Sequence, residues 1–276
     1  MLCNNYKDMV RRLLIIAGAF CLVLAPVSAF ALQVNKSSIK AQMPANQTYH
    51  GTIEVENPSE AETAVRVYLA DFVYLAPFNG EKEFYPPDST KFSLSKNIKF
   101  SPQEFTIPPF SNQVVNFTIS SDQEFEHVKC GVIFFETSLG AAYQDGKLID
   151  VVGRIGTLIF VASPSNTKKA SFKNIKGGEY KLKGVLKNIG ETFLHASGTF
   201  FVMDNEGMVE DRDEIRESYL LPQDEVQISI ELSKTLSADN YIMIITYDLE
   251  DGDVSVKEID FSLSSSGEVN ILEVRD

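Results

Sequence analysis

Apolar and polar residues alternate with a period of two along most of this chain, and helical periodicity is nearly absent. The clearest run is residues 225–232, in which Val226, Ile228, Ile230 and Leu232 point to one side. The positions between them hold glutamate, glutamine and serine. This segment therefore predicts a strand with one buried face and one solvated face.

Further runs show the same alternation: residues 51–57, 63–74, 113–119, 128–137, 180–186, 241–247 and 254–263. Turn-forming pairs such as Asn57-Pro58 and Asp145-Gly146 separate them. Short strands interrupted this often predict antiparallel sheets rather than alternating strands and helices. The pattern therefore predicts an all-β fold of two tandem Ig-like antiparallel β-sandwich domains.

The first 31 residues depart from this pattern. Three basic residues precede an uncharged apolar run at positions 13–24, and small residues occupy positions 29 and 31. This is the layout of a secretory signal peptide, and the apolar run is shorter than the roughly 18 residues of a spanning helix. We therefore expect cleavage after Ala31, no membrane span, and a periplasmic protein, with an extracellular or cell-surface location as the alternatives.

The composition of the remaining chain changes once, at residues 163–169, which combine Pro, Ser, Asn and two lysines after an apolar run. We predict a first sandwich at 32–163, a linker at 164–169 and a second sandwich at 170–264. About 245 residues remain after the leader, enough for two domains. Residues 265–276 are predicted to form a C-terminal tail, although four apolar residues there leave a further strand open.

Charge and cysteine content restrict the partners and the source of stability. The chain has 25 Lys and Arg against 38 Asp and Glu, a formal net charge of −13 at pH 7. Nucleic acids and anionic lipids bind clustered Lys and Arg, so this acidity argues against both as partners. Cys130 is the only cysteine outside the leader, so both sandwiches must depend on apolar cores rather than on disulfides.

Four stretches resemble, in order and spacing, the N-terminal Ig-like domain of the PapD-like periplasmic pilus-assembly chaperones. They are residues 32–40 with 51–58 and 64–68, residues 100–109 with 113–117, residues 130–136, and residues 152–160. The second domain is only generically Ig-like, with a recognisable sandwich turn at residues 186–192.

This resemblance implies a function. Such chaperones lend a strand to an incompletely folded pilin, and two basic residues between their domains hold the pilin's terminal carboxylate. By resemblance, Lys36 and Arg154 are those basic residues, and Ile149, Val151 and Ile155 are the alternating apolar side chains that enter the client. The chain is then a non-enzymatic, chaperone-like assembly protein whose client is a secreted or pilus-type protein bound by strand addition. Its oligomeric state is left open.

Enzymatic and cofactor chemistry have little support in the sequence. His50, His127 and His195 lack the neighbours that a nucleophilic site needs, and His127 with Cys130 supplies only two of the four ligands of a zinc site. Ser93-x-x-Lys96 and Ser37-x-x-Lys40 match one β-lactamase motif, but its partner motifs are missing. We therefore predict no catalytic residue, no cofactor and no metal site.

Two acidic segments leave a second function open. Residues 204–207 with 210–214, and residues 248–253, are rich in the Asp, Asn and Gly that favour turns, and neither has the order of an EF-hand loop. Calcium binding at these turns is the alternative to a plain turn. The alternative function is accordingly a structural or adhesive cell-surface β-sandwich protein that binds calcium.

Overall fold

A computed structural model describes residues 32–144, 146–251 and 253–275, and the predicted signal peptide lies outside these ranges. Residues 32–276 form one compact unit. Within the described ranges, no helix has the length and apolar character that crossing a membrane requires.

The first sandwich spans residues 33–162. Its described strands are β1 (Gln33–Val34), β2 (Ser38–Gln42), β3 (Gln47–Asn57), β4 (Thr63–Tyr74), β5 (Lys82–Tyr85), β6 (Ile98–Ser101), β7 (Glu104–Ile107), β8 (Ser111–Ser121), β9 (Lys129–Gln144) and β10 (Lys147–Ala162). One sheet has the order β1-β3-β8-β6, and the other has the order β2-β10-β9-β4-β5, with β7 also paired to β4. The β2–β10 pair is parallel and the β9–β10 pair is antiparallel.

The second sandwich spans residues 170–275. Its described strands are β11 (Ala170–Gly178), β12 (Lys181–Asn188), β13 (Leu194–Met203), β14 (Val209–Leu220), β15 (Glu225–Glu231), β16 (Asn240–Asp248), β17 (Val254–Leu263) and β18 (Val269–Arg275). A three-stranded sheet, β11-β12-β15, faces a five-stranded sheet, β14-β13-β16-β17-β18.

The predicted all-β fold is confirmed, and the alternation located its strands. The predicted runs 63–74 and 254–263 coincide with β4 and β17. In β15 every second residue is buried, as the period of two requires. The predicted C-terminal tail at 265–276 contains the further strand, β18, because Val269 is buried in the second core and Val269–Arg275 pairs with β17.

Each sandwich has its own apolar core, and a third cluster joins them. Ile53, Phe117 and Phe135 belong to the first core, and the second core is built in the same way between its own two sheets. The third cluster places Phe193 and Leu221 of the second sandwich against the outer faces of β4, β9 and β10. The two sandwiches are thus held together by apolar burial and not by the connecting segment alone.

The connecting segment is hydrogen-bonded to both sandwiches. The Ser163 hydroxyl oxygen accepts a 2.7 Å hydrogen bond from the Phe125 amide. The amide and hydroxyl of Thr167 both donate to the carboxylate of Glu191, at 2.9 and 2.6 Å, and these bonds lower the pKa of Glu191. The segment lies between β10 and β11, where the domain boundary is predicted. That the second sandwich folds alone stays a prediction.

Candidate binding site at an open strand edge

Strands β9 and β10 form a hairpin whose far end extends beyond the core. Each strand has 16 residues, paired in register from Lys129 with Val161 to Gln144 with Lys147. From Ser138 to Val152 the described residues of the hairpin are exposed, whereas the opposite ends of both strands are buried. The hairpin therefore presents a two-stranded ribbon to solvent.

The β10 edge of this ribbon is open within the described chain, as is the outer edge of β9 beyond Glu136. Strand β2 pairs with β10 only over Leu158–Ala162, and among the described residues no strand pairs with that edge from Lys147 to Gly156. Backbone N–H and C=O groups along such an edge are free to pair with another chain. Ten consecutive residues are thus available for the addition of a strand.

The residues predicted to enter a client lie along this open segment. Ile149 and Val151 are 38% and 36% exposed, and Ile155 is half-buried against the first core. Gly153 leaves a gap between them, but a register shift on β9 brings Leu139 over it: the Leu139 Cδ1 atom lies 3.1 Å from where a Cβ of Gly153 would stand. Leu139 was missed in the sequence because a bulge on the neighbouring strand places it there.

Arg154 stands on the other face of β10. Its guanidinium lies 4.7 Å from the ring centre of Phe134 and 5.4 Å from that of Phe84, within the range of cation–π attraction. At Gly156, two residues further, any side chain would meet the Phe134 ring, since a Cβ there would be 2.9 Å from it. Arg154 therefore packs against the same ring, Phe134, that leaves no room for a side chain at Gly156.

Lys36 approaches the same strand from the segment between β1 and β2. Its side chain is exposed, and its carbonyl oxygen accepts a 2.7 Å hydrogen bond from the Thr157 hydroxyl. Thr157 is three residues from Arg154 along β10. The backbone of Lys36 thus lies beside the open edge, and a joint clamp by Lys36 and Arg154 stays a prediction.

The groove between the sandwiches contains two lysines that sequence reasoning did not assign to it. A cavity of about 720 Å³ is lined by Lys40 and Lys168 together with Glu250 and Asp251. Lys40 forms an ion pair with Glu250, and Lys168 lies 2.5 Å from a carboxylate oxygen of Asp251. The two residues of each ion pair are more than 80 positions apart in the sequence, so no local motif predicts the pairs.

The acidic partners are stabilised in their charged forms. Burial raises the pKa of Glu250, but hydrogen bonds from Lys40 and His195 outweigh it, so the pKa is below its ordinary value. The hydrogen bond from Lys168 likewise lowers the pKa of Asp251. These lysines are already neutralised, so a client carboxylate entering the groove would have to displace an internal one.

His195 extends this network within the second sandwich. Its Nδ1 lies 2.9 Å from a Glu250 carboxylate oxygen, its Nε2 lies 3.1 Å from one of Glu217, and its ring stacks on Tyr219 at 4.4 Å. The ring is thus fixed by two carboxylates and an aromatic face, which is a structural position and not that of a general base beside a nucleophile.

The other candidate chemistries are not assembled. Ser93 donates a 2.7 Å hydrogen bond to the buried carboxylate of Asp71, whereas Lys96 pairs with Asp88 at 2.8 Å, so the serine and lysine of that motif serve different partners. Burial raises the pKa of the Cys130 thiol, which packs as an apolar side chain. Among the described residues, no three His, Cys, Asp or Glu side chains are grouped so as to hold a metal ion.

Two edge strands of the second sandwich, β14 and β15, are protected in a way that the β10 edge is not. Strand β14 ends the five-stranded sheet, and its residues 210–214 are all charged. Strand β15 ends the three-stranded sheet with Glu225 and Glu231 exposed. Charged edge strands block pairing with other chains. Among the ten residues of the open β10 edge, by contrast, only Lys147, Asp150 and Arg154 are charged.

Comparison with known proteins gives the fold but no close relative. No family model matches the chain, and none of the curated proteins does. Among solved structures, the class 5 fimbriae chaperone CfaA has a TM-score of 0.50 at 11% identity, covering 82% of this chain and 97% of its own. A chain of the chaperone–tip adhesin complex of CFA/I fimbriae biogenesis has a TM-score of 0.49 at 12% identity, over 82% and 96%. The E. coli chaperone DraB has a TM-score of 0.42 at 12% identity, over 85% and 98%.

The likeness to CfaA extends over nearly the whole length of that protein and over both sandwiches of this one. At 11% identity it establishes architecture and not activity. The chain therefore has the two-sandwich, all-β fold of the PapD-like fimbrial chaperones.

Proposed function

We propose that this chain is a periplasmic, non-enzymatic chaperone-like protein that binds an extended strand of a secreted client, such as a pilus or surface subunit. Residues 1–31 are its signal peptide, and residues 32–163 and 170–275, the latter including β18, are its two domains. The observation that carries this proposal is the open edge of β10 from Lys147 to Gly156.

Strand addition uses two kinds of contact, and β10 offers both. The free backbone edge supplies ladder hydrogen bonds, which give affinity without regard to sequence. Ile149, Val151 and Ile155 point to one face of the strand, with Leu139 over Gly153 between them. These side chains would fill successive pockets of a client that lacks a strand of its own.

The cations at the edge supply the second element of the proposal. Lys36 and Arg154 would hold the client's carboxylate through charge-assisted hydrogen bonds. Both side chains are exposed and neither takes part in an ion pair within the described chain, in contrast to Lys40 and Lys168. The fold supports the assignment, since CfaA, which shares it, is a fimbriae chaperone.

The test is capture of an exported protein from the periplasm by the tagged chain. Ile149→Glu with Val151→Glu places two charges on the client-facing side of β10, and we expect capture to fall at least tenfold. The matched control is Val254→Glu with Val256→Glu, which adds the same charge at exposed apolar positions of β17. Melting curves verify that all three proteins are folded.

The proposal requires that one exported protein, identified by mass, is retained by the wild type and by the control variant and lost by the β10 variant. Equal capture by all three proteins would exclude the β10 edge as the binding site. Calcium-dependent capture that is insensitive to both variants would instead favour the structural or adhesive alternative.

A further inference from the structure

Lysines concentrate on one sheet of the second sandwich. Residues 168–187 contain seven lysines and a single acidic residue, Glu179, in a chain whose net charge is −13. Most of these lysines lie in β11 and β12, the first two strands of the three-stranded sheet. The rest of the molecule is correspondingly more acidic.

The alternation of the strands brings these lysines to one face. Phe172, Leu182 and Leu186 are buried in the second core, so their neighbours in β11 and β12 point outward. Those outward residues form what we call the lysine face: Lys173, Lys176, Lys181, Lys183 and Lys187.

Three of the five lysines on the lysine face have no acidic residue opposite them. Lys181 stands opposite Glu231 and Lys187 opposite Glu225 across the β12–β15 pair. Lys187 lies 3.9 Å from Glu225, and this is the one ion pair that the face makes within the described chain. Lys176 stands directly opposite Lys183 across the β11–β12 pair. Like charges in directly opposed positions destabilise a sheet. Folding alone gives no reason to place them there.

Lys257 of β17 lies close to Lys173 of the lysine face. Burial lowers the pKa of Lys257, and the nearby charge of Lys173 lowers it further. The glutamates on this side, Glu225 and Glu231, lie on the outermost strand β15. Salt screens charges beyond about 8 Å at physiological ionic strength, so a partner touching this face meets its local positive charge and not the acidity of the whole chain.

The composition of the face identifies the kind of partner. It has no arginine and no exposed aromatic residue, and Val185 at its centre is half-buried. Protein–protein interfaces are enriched in Arg, Tyr, Trp and Phe and depleted in Lys, so a protein partner is disfavoured. Clustered lysines on a flat surface attract anionic lipid headgroups without needing a fitted pocket.

We propose that the lysine face binds the anionic surface of a phospholipid membrane by electrostatic attraction, without inserting side chains into it. The net charge of the chain predicts repulsion from such lipids. Because salt screens the distant acidic residues, the nearby lysines determine the electrostatic interaction of this face with the membrane. This activity is independent of the β10 edge, which lies in the other sandwich. Its test can fail while the strand-binding function stands, and the converse also holds.

The experiment is flotation of the full exported chain with vesicles. Vesicles of 30% phosphatidylglycerol in phosphatidylethanolamine are compared with vesicles of phosphatidylcholine, at 50 and 200 mM NaCl. We expect binding to the anionic vesicles alone, weakened by the higher salt. Each lysine near an anionic surface contributes about fivefold, so Lys176→Gln with Lys183→Gln should weaken partitioning roughly thirtyfold.

The matched control is Lys91→Gln with Lys99→Gln, which removes two exposed lysines of the first sandwich and should change binding less than twofold. Loss of fold is not expected in the Lys176 and Lys183 variant, because it relieves a like-charge pair. Equal binding to both vesicle types, or an equal loss in both variants, would overturn the proposal. Binding of polyglutamate but not of anionic vesicles would make an acidic protein the occupant and overturn it as well.

Discussion

The ring of Phe160, in β10, stacks on the ring of Phe193 in the second sandwich, with centroids 4.3 Å apart and 18° between their planes. Phe193 also stacks on Tyr74 at 5.6 Å, and both belong to the cluster that joins the sandwiches. The strand that carries the open edge is therefore also a wall of the contact between the sandwiches. The packing of β10 against the second sandwich therefore fixes the orientation of the open edge relative to that sandwich.

Phe193→Ala should destabilise the whole protein by about 3–5 kcal/mol, because it removes a buried aromatic side chain from that contact. Chemical denaturation measures the change. Phe201→Ala is the control: Phe201 lies in β13 with 38% of its surface exposed, so its loss should cost much less. Equal losses would mean that the stacked cluster contributes no more than a surface position.

The second sandwich should fold without the first. A fragment of residues 168–276 contains the entire second core and should melt cooperatively with a β-rich circular dichroism spectrum. A fragment of residues 168–264 lacks β18 and with it the buried Val269, so it should be less stable by at least the 1.5–3 kcal/mol of one buried side chain. A featureless spectrum for the longer fragment would show that the sandwiches depend on each other.

Lys36→Ala and Arg154→Ala should each reduce client capture while leaving the melting temperature nearly unchanged. A charge-assisted hydrogen bond is worth on the order of 1.5–3 kcal/mol, or about a tenfold to 150-fold loss of affinity. Arg66→Ala is the control for Arg154, since Arg66 makes a similar cation–π contact with Tyr68 in β4. Unchanged capture by both variants would exclude the clamp.

The ion pairs in the groove predict a loss of stability in acid. The pKa values of Glu250 and Asp251 lie below their ordinary 4.5 and 3.8. A carboxyl with a depressed pKa contributes stability above its unfolded pKa and loses it as the pH falls through the folded pKa. Glu250→Gln should therefore lower the melting temperature at pH 7, and the difference from the wild type should shrink as the pH falls below about 4.5.

The control for this titration is Glu60→Gln. Glu60 is exposed in the turn between β3 and β4 and has no ion pair in the described chain, so its removal should leave the pH profile unchanged. A difference between Glu250→Gln and the wild type that stays constant from pH 7 to pH 3 would show that the groove carboxylate does not contribute through its charge.

The sequence predicted the fold because alternation is a local signal. The alternation of apolar and polar residues is visible within runs such as 63–74 and 254–263, and β4 and β17 have the same bounds as these runs. The sequence did not decide whether residues 265–276 form a strand, because Ser264-Ser-Ser-Gly267 is typical of a flexible end. The pairing of β18 with β17 is a tertiary contact, which no local pattern predicts.

The candidate site was predictable only in part. The alternation predicts the apolar residues of β10. The edge is open because β2 pairs with only five residues of β10, and no local sequence pattern predicts the length of that pairing. The Lys40–Glu250 pair joins residues 210 positions apart. The spacing of Lys181, Lys183 and Lys187 indicates the lysine face, but the net charge of −13 describes the whole chain and hides such a local cluster.

The most direct test of the strand-binding claim is amide hydrogen exchange of β10, measured with and without the captured client. If the client adds a strand, amides that point outward between Lys147 and Gly156 become protected by at least tenfold, while those of β14 and β15 stay unchanged. Exchange in Lys147–Gly156 that is the same in the free and the bound protein would contradict the account.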